Sequence, residues 1–184
     1  MKKETKQKIK NVTIEIIDFF LGIPESVVNG FDRNEFYRLM QGHSGEKELT
    51  CSNIAKFITN LKNRGYIEIQ ATSNNSESII FTNKARLAII DRLIKRTKND
   101  NKYCFVSFDI PEDMRINRDQ FRRTIKRMGF VQVQKSLWVI DKNVGEYVEM
   151  AAEEYSVNEY VVYLVTEATN IDTLLPKMLK HIKP

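Results

Sequence analysis

The sequence predicts an α+β protein built from two domains. Its first half shows helical periodicity followed by a β-hairpin and another helix, whereas its second half alternates strands and helices in the order βαββαβ. A short polar segment, residues 97–102 (TKNDNK), separates the two patterns. We therefore expect one domain over residues 1–98 and a second over residues 99–184.

Two helices are predicted at the start of the chain. Between residues 2 and 20 apolar side chains recur at helical spacing, at Ile9, Val12, Ile16 and Phe19. Gly22, Pro24 and Gly30 then mark a loop. Asp32 can cap a second helix, which is expected to end near Gly42.

A third helix is predicted from Thr50, a suitable N-cap residue. Its apolar residues share one face: Ile54, Phe57, Ile58 and Leu61. The opposite face and its flanks carry Ser52, Asn53, Lys56, Thr59, Asn60 and Asn63. Amides pair with adenine edges, while Lys and hydroxyl groups serve phosphates or guanine, so this face suits contact with DNA. An ordinary solvated helix face is the alternative.

A β-hairpin follows the third helix. Arg64 and Gly65 mark the helix end, and residues 66–70 and 78–82 predict two antiparallel strands. The loop between them, residues 71–77, is polar and contains Asn74 and Asn75, which can reach a minor groove or a DNA backbone. Thr82 can then cap one further helix, with Leu87, Ile90 and either Leu93 or Ile94 facing inward.

This order of elements resembles the winged helix-turn-helix domain of bacterial transcription regulators, with residues 54–69 (IAKFITNLKNRGYIEI) similar to a recognition helix that runs into the wing. We expect Lys56, Arg64 and the wing to contact phosphates, and Asn53 and Asn60 to read bases. The expected DNA-binding set is Thr50, Ser52, Asn53, Lys56, Thr59, Asn60, Asn63, Arg64, Asn74 and Asn75. A winged helix that binds only other proteins is the alternative.

The second half predicts a ferredoxin-like βαββαβ domain. Strands are expected at residues 103–108, 131–134, 137–140 and 160–166, and helices at residues 117–128 and around 144–155. Phe130 and Trp138 lie within apolar strands and are expected in the core or an interface. A final apolar stripe comprises Ile171, Leu174, Leu175, Met178, Leu179 and Ile182.

Residues 106–113 (VSFDIPED) and 127–139 (RMGFVQVQKSLWV) resemble the domain shared by the small CRISPR adaptation endonuclease and PaaX-type transcriptional repressors. With the winged helix included, the arrangement resembles PaaX-type regulators more than the endonuclease alone. The resemblance implies a homodimer joined through the second domain. PaaX-type repressors carry a further C-terminal domain, whereas this sequence ends at Pro184, so the family's acyl-coenzyme A response is not carried over to this sequence.

Asp109 matches the aspartate that supports a divalent metal in the endonuclease relatives. Under that reading, carboxylates from two subunits would hold Mg²⁺ and activate water for phosphodiester cleavage. We favour a structural role instead, in which Asp109 hydrogen-bonds the turn that contains Pro111. No His base or Gly-rich phosphate loop accompanies Asp109, so the sequence does not favour catalysis.

The first helix of the second domain is rich in cations that could form a secondary nucleic-acid contact. They include Arg118, Arg122, Arg123, Lys126 and Arg127. A charged outer face that pairs with neighbours such as Asp119 is the default alternative.

Charge and composition fit a cytoplasmic protein. The net charge is +5, and residues 1–98 carry 17 Lys and Arg against 11 Asp and Glu, so the basic excess lies in the first half. Cys51 and Cys104 lie far apart, and His43 and His181 are the only histidines, so we expect neither a disulfide nor a zinc site. No stretch is apolar enough to span a membrane.

The sequence thus predicts a PaaX-like repressor that binds double-stranded DNA as a homodimer, without a cofactor and with an unidentified effector. One alternative is a metal-dependent nuclease or CRISPR adaptation component that uses Asp109 and Mg²⁺. Another is an assembly adaptor in a defence complex.

Overall fold

The computed structural model describes residues 2–23, 30–43, 50–71 and 77–180, which form a mixture of helix and sheet. The chain folds as two compact units, Met1–Ile89 and Ile90–Pro184. The division falls before the boundary predicted after residue 98. Helix Ile90–Arg96 belongs to the second unit because it packs on the helix Arg115–Met128.

The described part of the first unit contains helices and a three-stranded sheet. The helices are α1 (Lys2–Leu21), α2 (Arg33–His43), α3 (Cys51–Asn63) and α4 (Asn83–Ala88). The strands are β1 (Phe31–Asp32), β2 (Ile67–Ala71) and β3 (Glu77–Phe81). Strand β3 lies in the centre and pairs antiparallel with both neighbours.

Four phenylalanines join the elements of the first unit. The rings of Phe20 and Phe36 stack with centroids 4.3 Å apart, and Phe31 meets Phe20 edge-on at 4.9 Å. Phe81 approaches Phe20 at 5.8 Å. All four side chains are buried, so α1, β1, α2 and β3 share one aromatic core.

Strand β1 was not predicted. Gly30, immediately before it, has φ +69, and a Cβ at this position would lie 2.7 Å from the carbonyl oxygen of Ile79. Only glycine permits both this left-handed backbone and this close approach to β3. The glycine therefore allows Phe31 to enter the core opposite Ile79.

The single helix predicted after Thr82 is wrong, because the structure has two helices that break at Ile89. Ile89 has φ −116 and ψ 20, and both Ile89 and Ile90 are fully buried. At 100° per residue, one straight helix would spread Leu87, Ile89 and Ile90 over about 160° of its circumference, which is wider than the apolar stripe of a typical surface helix. The break permits their burial and coincides with the end of the first unit.

The described part of the second unit contains a four-stranded antiparallel sheet. The strands are β4 (Tyr103–Phe108), β5 (Val131–Gln134), β6 (Leu137–Ile140) and β7 (Val161–Thr166), in the spatial order β5-β6-β4-β7. The helices are α5 (Ile90–Arg96), α6 (Arg115–Met128), α7 (Gly145–Glu154) and α8 (Leu175–Lys180). Short 3₁₀ turns occupy Glu112–Met114 and Asn158–Tyr160.

The two faces of this sheet differ. Alternate β4 residues, Cys104 and Val106, are buried, and the ring of Phe108 meets Phe121 of α6 edge-on at 5.2 Å. On the other face Val139 is buried, but five further residues line an open depression, and we call them the uncovered sheet face: Phe105, Ser107, Leu137, Val162 and Leu164. Val162 is 70% exposed and Leu164 is 62% exposed.

The apolar stripe predicted near the end of the chain, residues 171–182, is only partly buried. Helix α8 buries Leu175, whereas Leu174 is 52% exposed and lies before the helix starts. Ile182 lies outside the described residues. Within the described parts of the chain, no helix combines the length and apolarity needed to cross a membrane.

Gly129 and Gly42 provide a matched test of the fold. Gly129 ends α6 with φ +97, a left-handed conformation that costs other residues about 1–2 kcal/mol. Gly42 is helical, and no atom of the described residues would lie within 4 Å of a Cβ added there. We expect Gly129→Ala to lower the melting temperature by several degrees and Gly42→Ala to leave it unchanged or raise it. Calorimetry of both variants checks this, and equal shifts would contradict it.

Candidate nucleic-acid interface

Helix α3 begins and ends at the predicted residues. The Thr50 Oγ1 accepts a hydrogen bond from the Asn53 backbone N–H at 3.3 Å, so Thr50 is the expected N-cap. At the other end Gly65 has φ +70, and the Tyr66 N–H donates to the Leu61 carbonyl at 2.9 Å. Glycine makes this left-handed exit possible.

One stripe of α3 faces the core. Ile54 and Leu61 are fully buried and Ile58 nearly so, while Phe57 is half-buried. The helix packs against α2 and β2. This burial fixes the rotation of the helix about its axis, since turning it would expose the apolar stripe.

The opposite face of α3 is exposed and polar. We call it the α3 polar face, and every member is solvent-exposed: Thr50, Ser52, Asn53, Lys56, Thr59, Asn60 and Asn63. The Thr59 hydroxyl donates to the Ala55 carbonyl at 2.9 Å, so it remains available only as an acceptor. No Asp or Glu occurs between Thr50 and Gly65, so no carboxylate of this segment opposes a phosphate.

Arg64 is positioned differently from the α3 polar face. Its guanidinium is partly buried and donates to the Thr13 hydroxyl of α1 at 3.4 Å and to the Tyr66 hydroxyl at 3.5 Å. It also lies 4.9 Å from the Tyr66 ring centroid, and Lys84 approaches the same ring at 5.9 Å. Sequence patterning missed these contacts because Thr13 lies 51 residues away along the chain.

The base of the predicted wing is described, but its tip is not. Strands β2 and β3 pair in register from Ile67–Phe81 to Ala71–Glu77. Arg33 at the start of α2 forms an ion pair with Glu77, and hydrogen bonds with Tyr37 and Glu77 raise the pKa of Arg33. Asn74 and Asn75, the predicted contacts of the wing, lie outside the described residues.

Asp109 lies at the end of β4 and is exposed. Its backbone N–H donates to the Tyr160 carbonyl at 3.1 Å. The residue lines an open depression of about 680 Å³ with Asp119, Arg122 and Lys135. Among the residues that the structure describes, no three His, Cys, Asp or Glu side chains come together as a metal site.

The cations of α6 are not equivalent. Arg118 pairs with Glu112 at 2.7 Å, and this hydrogen bond lowers the pKa of Glu112. Arg127 pairs with Asp91 at 3.0 Å. The partners are therefore Glu112 and Asp91, which lie outside α6 and were not anticipated from the sequence.

Arg122 and Lys126 lie over the indole ring of Trp138, at 5.6 Å and 5.8 Å from its centroid. Trp138 and Phe130 are each only 3% exposed, which confirms that both are core residues. Arg122 and Lys126 are exposed, as is Arg123 between them, so the cationic groups remain at the surface.

Residues 96–175 are similar to the family described as the PaaX protein central Cas2-like domain. The matched segment runs from the end of α5 through the whole four-stranded sheet to the first residue of α8. This similarity supports a PaaX-type protein, in agreement with the resemblance carried by residues 106–113 and 127–139. No curated protein gives a significant match to the chain.

The two thiols test whether the start of α3 is accessible. Cys51 is exposed, whereas Cys104 is buried in β4, and burial raises the pKa of the Cys104 thiol to about 11. Because the thiolate is the reactive form, a thiol reagent at mildly alkaline pH should modify Cys51 rapidly and Cys104 only after unfolding. Mass spectrometry of the labelled peptides measures both rates; fast labelling of Cys104 in the folded chain would contradict this arrangement.

Proposed function

We propose that the chain is a sequence-specific double-stranded DNA-binding transcriptional regulator, a PaaX-like repressor that acts as a homodimer. The observation that carries the proposal is the α3 polar face, which is exposed, free of carboxylates and fixed in orientation by the buried stripe behind it. Asn53 and Asn60 can pair with adenine edges, and Lys56 can contact a phosphate. The proposed activity requires no cofactor.

The proposed DNA-binding domain is a winged helix-turn-helix. This proposal is supported by the element order α1-β1-α2-α3-β2-β3, in which the successive helices α2 and α3 directly precede the β2-β3 hairpin. In this class of domain the second helix of the pair enters the major groove, so we assign α3 to that position. The loop between β2 and β3 is the wing in this proposal.

The proposed dimerisation domain is ferredoxin-like. Strands β4 to β7 alternate with α6 and α7 in the order βαββαβ, and the first and third strands of that series lie side by side. Both described crossover helices, α6 and α7, follow a strand of this sheet. These features are those expected of a split βαβ unit.

We assign the dimer contact to the uncovered sheet face, with a second copy of the chain as its occupant. None of its members is charged, so two copies can meet without burying a charge. The sheet has two strands of six residues and two of four, which present roughly 330 Å² per copy by strand spacing and rise. Two such faces together bury roughly 650 Å², less than the roughly 1,200 Å² of a stable interface, so we expect a weak dimer that dissociates on dilution.

Single substitutions of Lys56 and Arg64 separate a phosphate contact from a positioning role. We expect Lys56→Ala to weaken duplex binding and to reduce the slope of log K against log salt by about one, since one phosphate contact is lost. Arg64→Ala should weaken binding with little change of slope, because Arg64 contacts Thr13 and Tyr66. Fluorescence anisotropy at several salt concentrations measures both quantities.

Lys95→Ala, which removes one exposed positive charge from α5, is the control for this titration. Affinity of the Lys56→Ala variant equal to that of the unmodified protein at every salt concentration would refute the placement of α3. A reduced slope for Arg64→Ala would instead make Arg64 a direct phosphate contact, as the sequence pattern predicts.

The nuclease alternative is tested by incubating duplex DNA and Mg²⁺ with the unmodified protein and with an Asp109→Ala variant. Cleavage by the unmodified protein that is lost in the variant would favour catalysis.

The dimer assignment is tested by placing charge on the uncovered sheet face. We expect Val162→Lys with Leu164→Lys to shift the protein to monomer, because each dimer would then bury four unpaired cations. Ile116→Lys is the matched control, since Ile116 is 74% exposed but lies on α6. Sedimentation velocity over a concentration series measures the result; an unchanged dimer fraction in the double variant would place the interface elsewhere.

A further inference from the structure

Helix α6 carries an excess of positive charge that its ion pairs only partly neutralise. Between Arg115 and Met128 the sequence has six Lys or Arg residues and a single acid, Asp119. Glu112 lies 4.0 Å from Arg115 and 2.7 Å from Arg118, and Asp91 pairs with Arg127. The paired cations therefore lie at the two ends of the helix.

The cations in the middle of α6 have no acidic partner within the described parts of the chain. Arg122, Arg123 and Lys126 are exposed and form no ion pair with any residue that the structure describes. Arg122 and Lys126 lie over the ring face of Trp138, in cation–π geometry. We call these three residues the α6 ridge.

Neighbouring groups determine where an anion would be bound. Lys135 lines the same depression as Arg122 and adds a positive charge, whereas Asp109 and Asp119 in that depression repel phosphates. An extended polyanion is therefore favoured along the outer ridge and disfavoured on the floor of the depression. Arg guanidinium groups and Lys together suit phosphate recognition without reading bases.

We propose that the α6 ridge binds backbone phosphates of duplex DNA and forms a second contact independent of the α3 polar face. The choice of DNA rests on the proposed function, because α3 is what identifies duplex DNA as the partner. Each ridge cation displaces about one condensed counterion from the duplex, so the ridge contributes affinity that falls with salt and carries no base preference.

Trp138 makes this contact directly observable. It is the chain's single tryptophan, and both Arg122 and Lys126 lie over its ring. A phosphate that draws these cations away from the ring changes the surroundings of the indole. Binding at the α6 ridge therefore alters tryptophan emission, whereas the first unit contains no tryptophan that would respond to α3.

The test compares three forms of the full chain with a short random-sequence duplex DNA. The first variant combines Arg122→Gln, Arg123→Gln and Lys126→Gln, which removes charge but retains side-chain cover over Trp138. The second combines Arg122→Lys, Arg123→Lys and Lys126→Arg, which retains the charge. Lys95→Ala with Lys98→Ala and Lys177→Ala is the control, because it removes the same net charge from exposed positions elsewhere.

We expect the glutamine variant to lose the change in Trp138 emission and to reduce the salt slope by about two to three. The charge-retaining variant and the control should keep the slope. Unaltered Trp138 emission of the unmodified protein at saturating DNA, or an unchanged slope in the glutamine variant, overturns the proposal. The Lys56→Ala variant distinguishes the two sites. If Lys56→Ala weakens binding and the glutamine variant does not, the α6 ridge proposal is wrong and the placement of α3 stands. If the glutamine variant weakens binding and Lys56→Ala does not, the placement of α3 is wrong and the α6 ridge proposal stands.

Discussion

The burial of a single stripe of α3 is the constraint on which the proposed activity depends. Ile54, Ile58 and Leu61 each contribute about 2 kcal/mol by leaving water, and their spacing permits one rotation of the helix. With the stripe inward, the amides and Lys56 face solvent. Thr50 and Gly65 fix the two ends, so the polar face has a defined length as well as a defined direction.

The second unit is organised around a sheet whose two faces are covered to different extents. Its sheet buries one face under α6 and α7 and leaves apolar side chains exposed on the other, and exposed apolar patches of this kind are typical of interaction surfaces. Trp138 fills the space between the sheet and the cations of α6. The same unit thus has an apolar surface and a cationic surface on opposite sides of one sheet, which we propose contact a second copy and a polyanion, respectively.

Local sequence signals predicted the elements that carry the proposed site. Helical periodicity and the Thr50 cap gave α3, and apolar runs gave β4, β5 and β6 with their observed bounds. Contacts between distant segments were not predictable in this way. Strand β1 exists because Gly30 lets the chain approach β3, and Arg64 turns inward because a hydroxyl of α1 lies beside it. The break at Ile89 likewise follows from burial of adjacent isoleucines.

A covalent cross-link tests most directly whether the α3 polar face lies in a groove of DNA. A photoreactive amino acid at position 60, on the α3 polar face, is compared with the same amino acid at position 149, an exposed position on α7. If α3 lies in a groove, position 60 forms an adduct with duplex bases and position 149 forms none. Saturating DNA binding without any adduct from position 60 would contradict it.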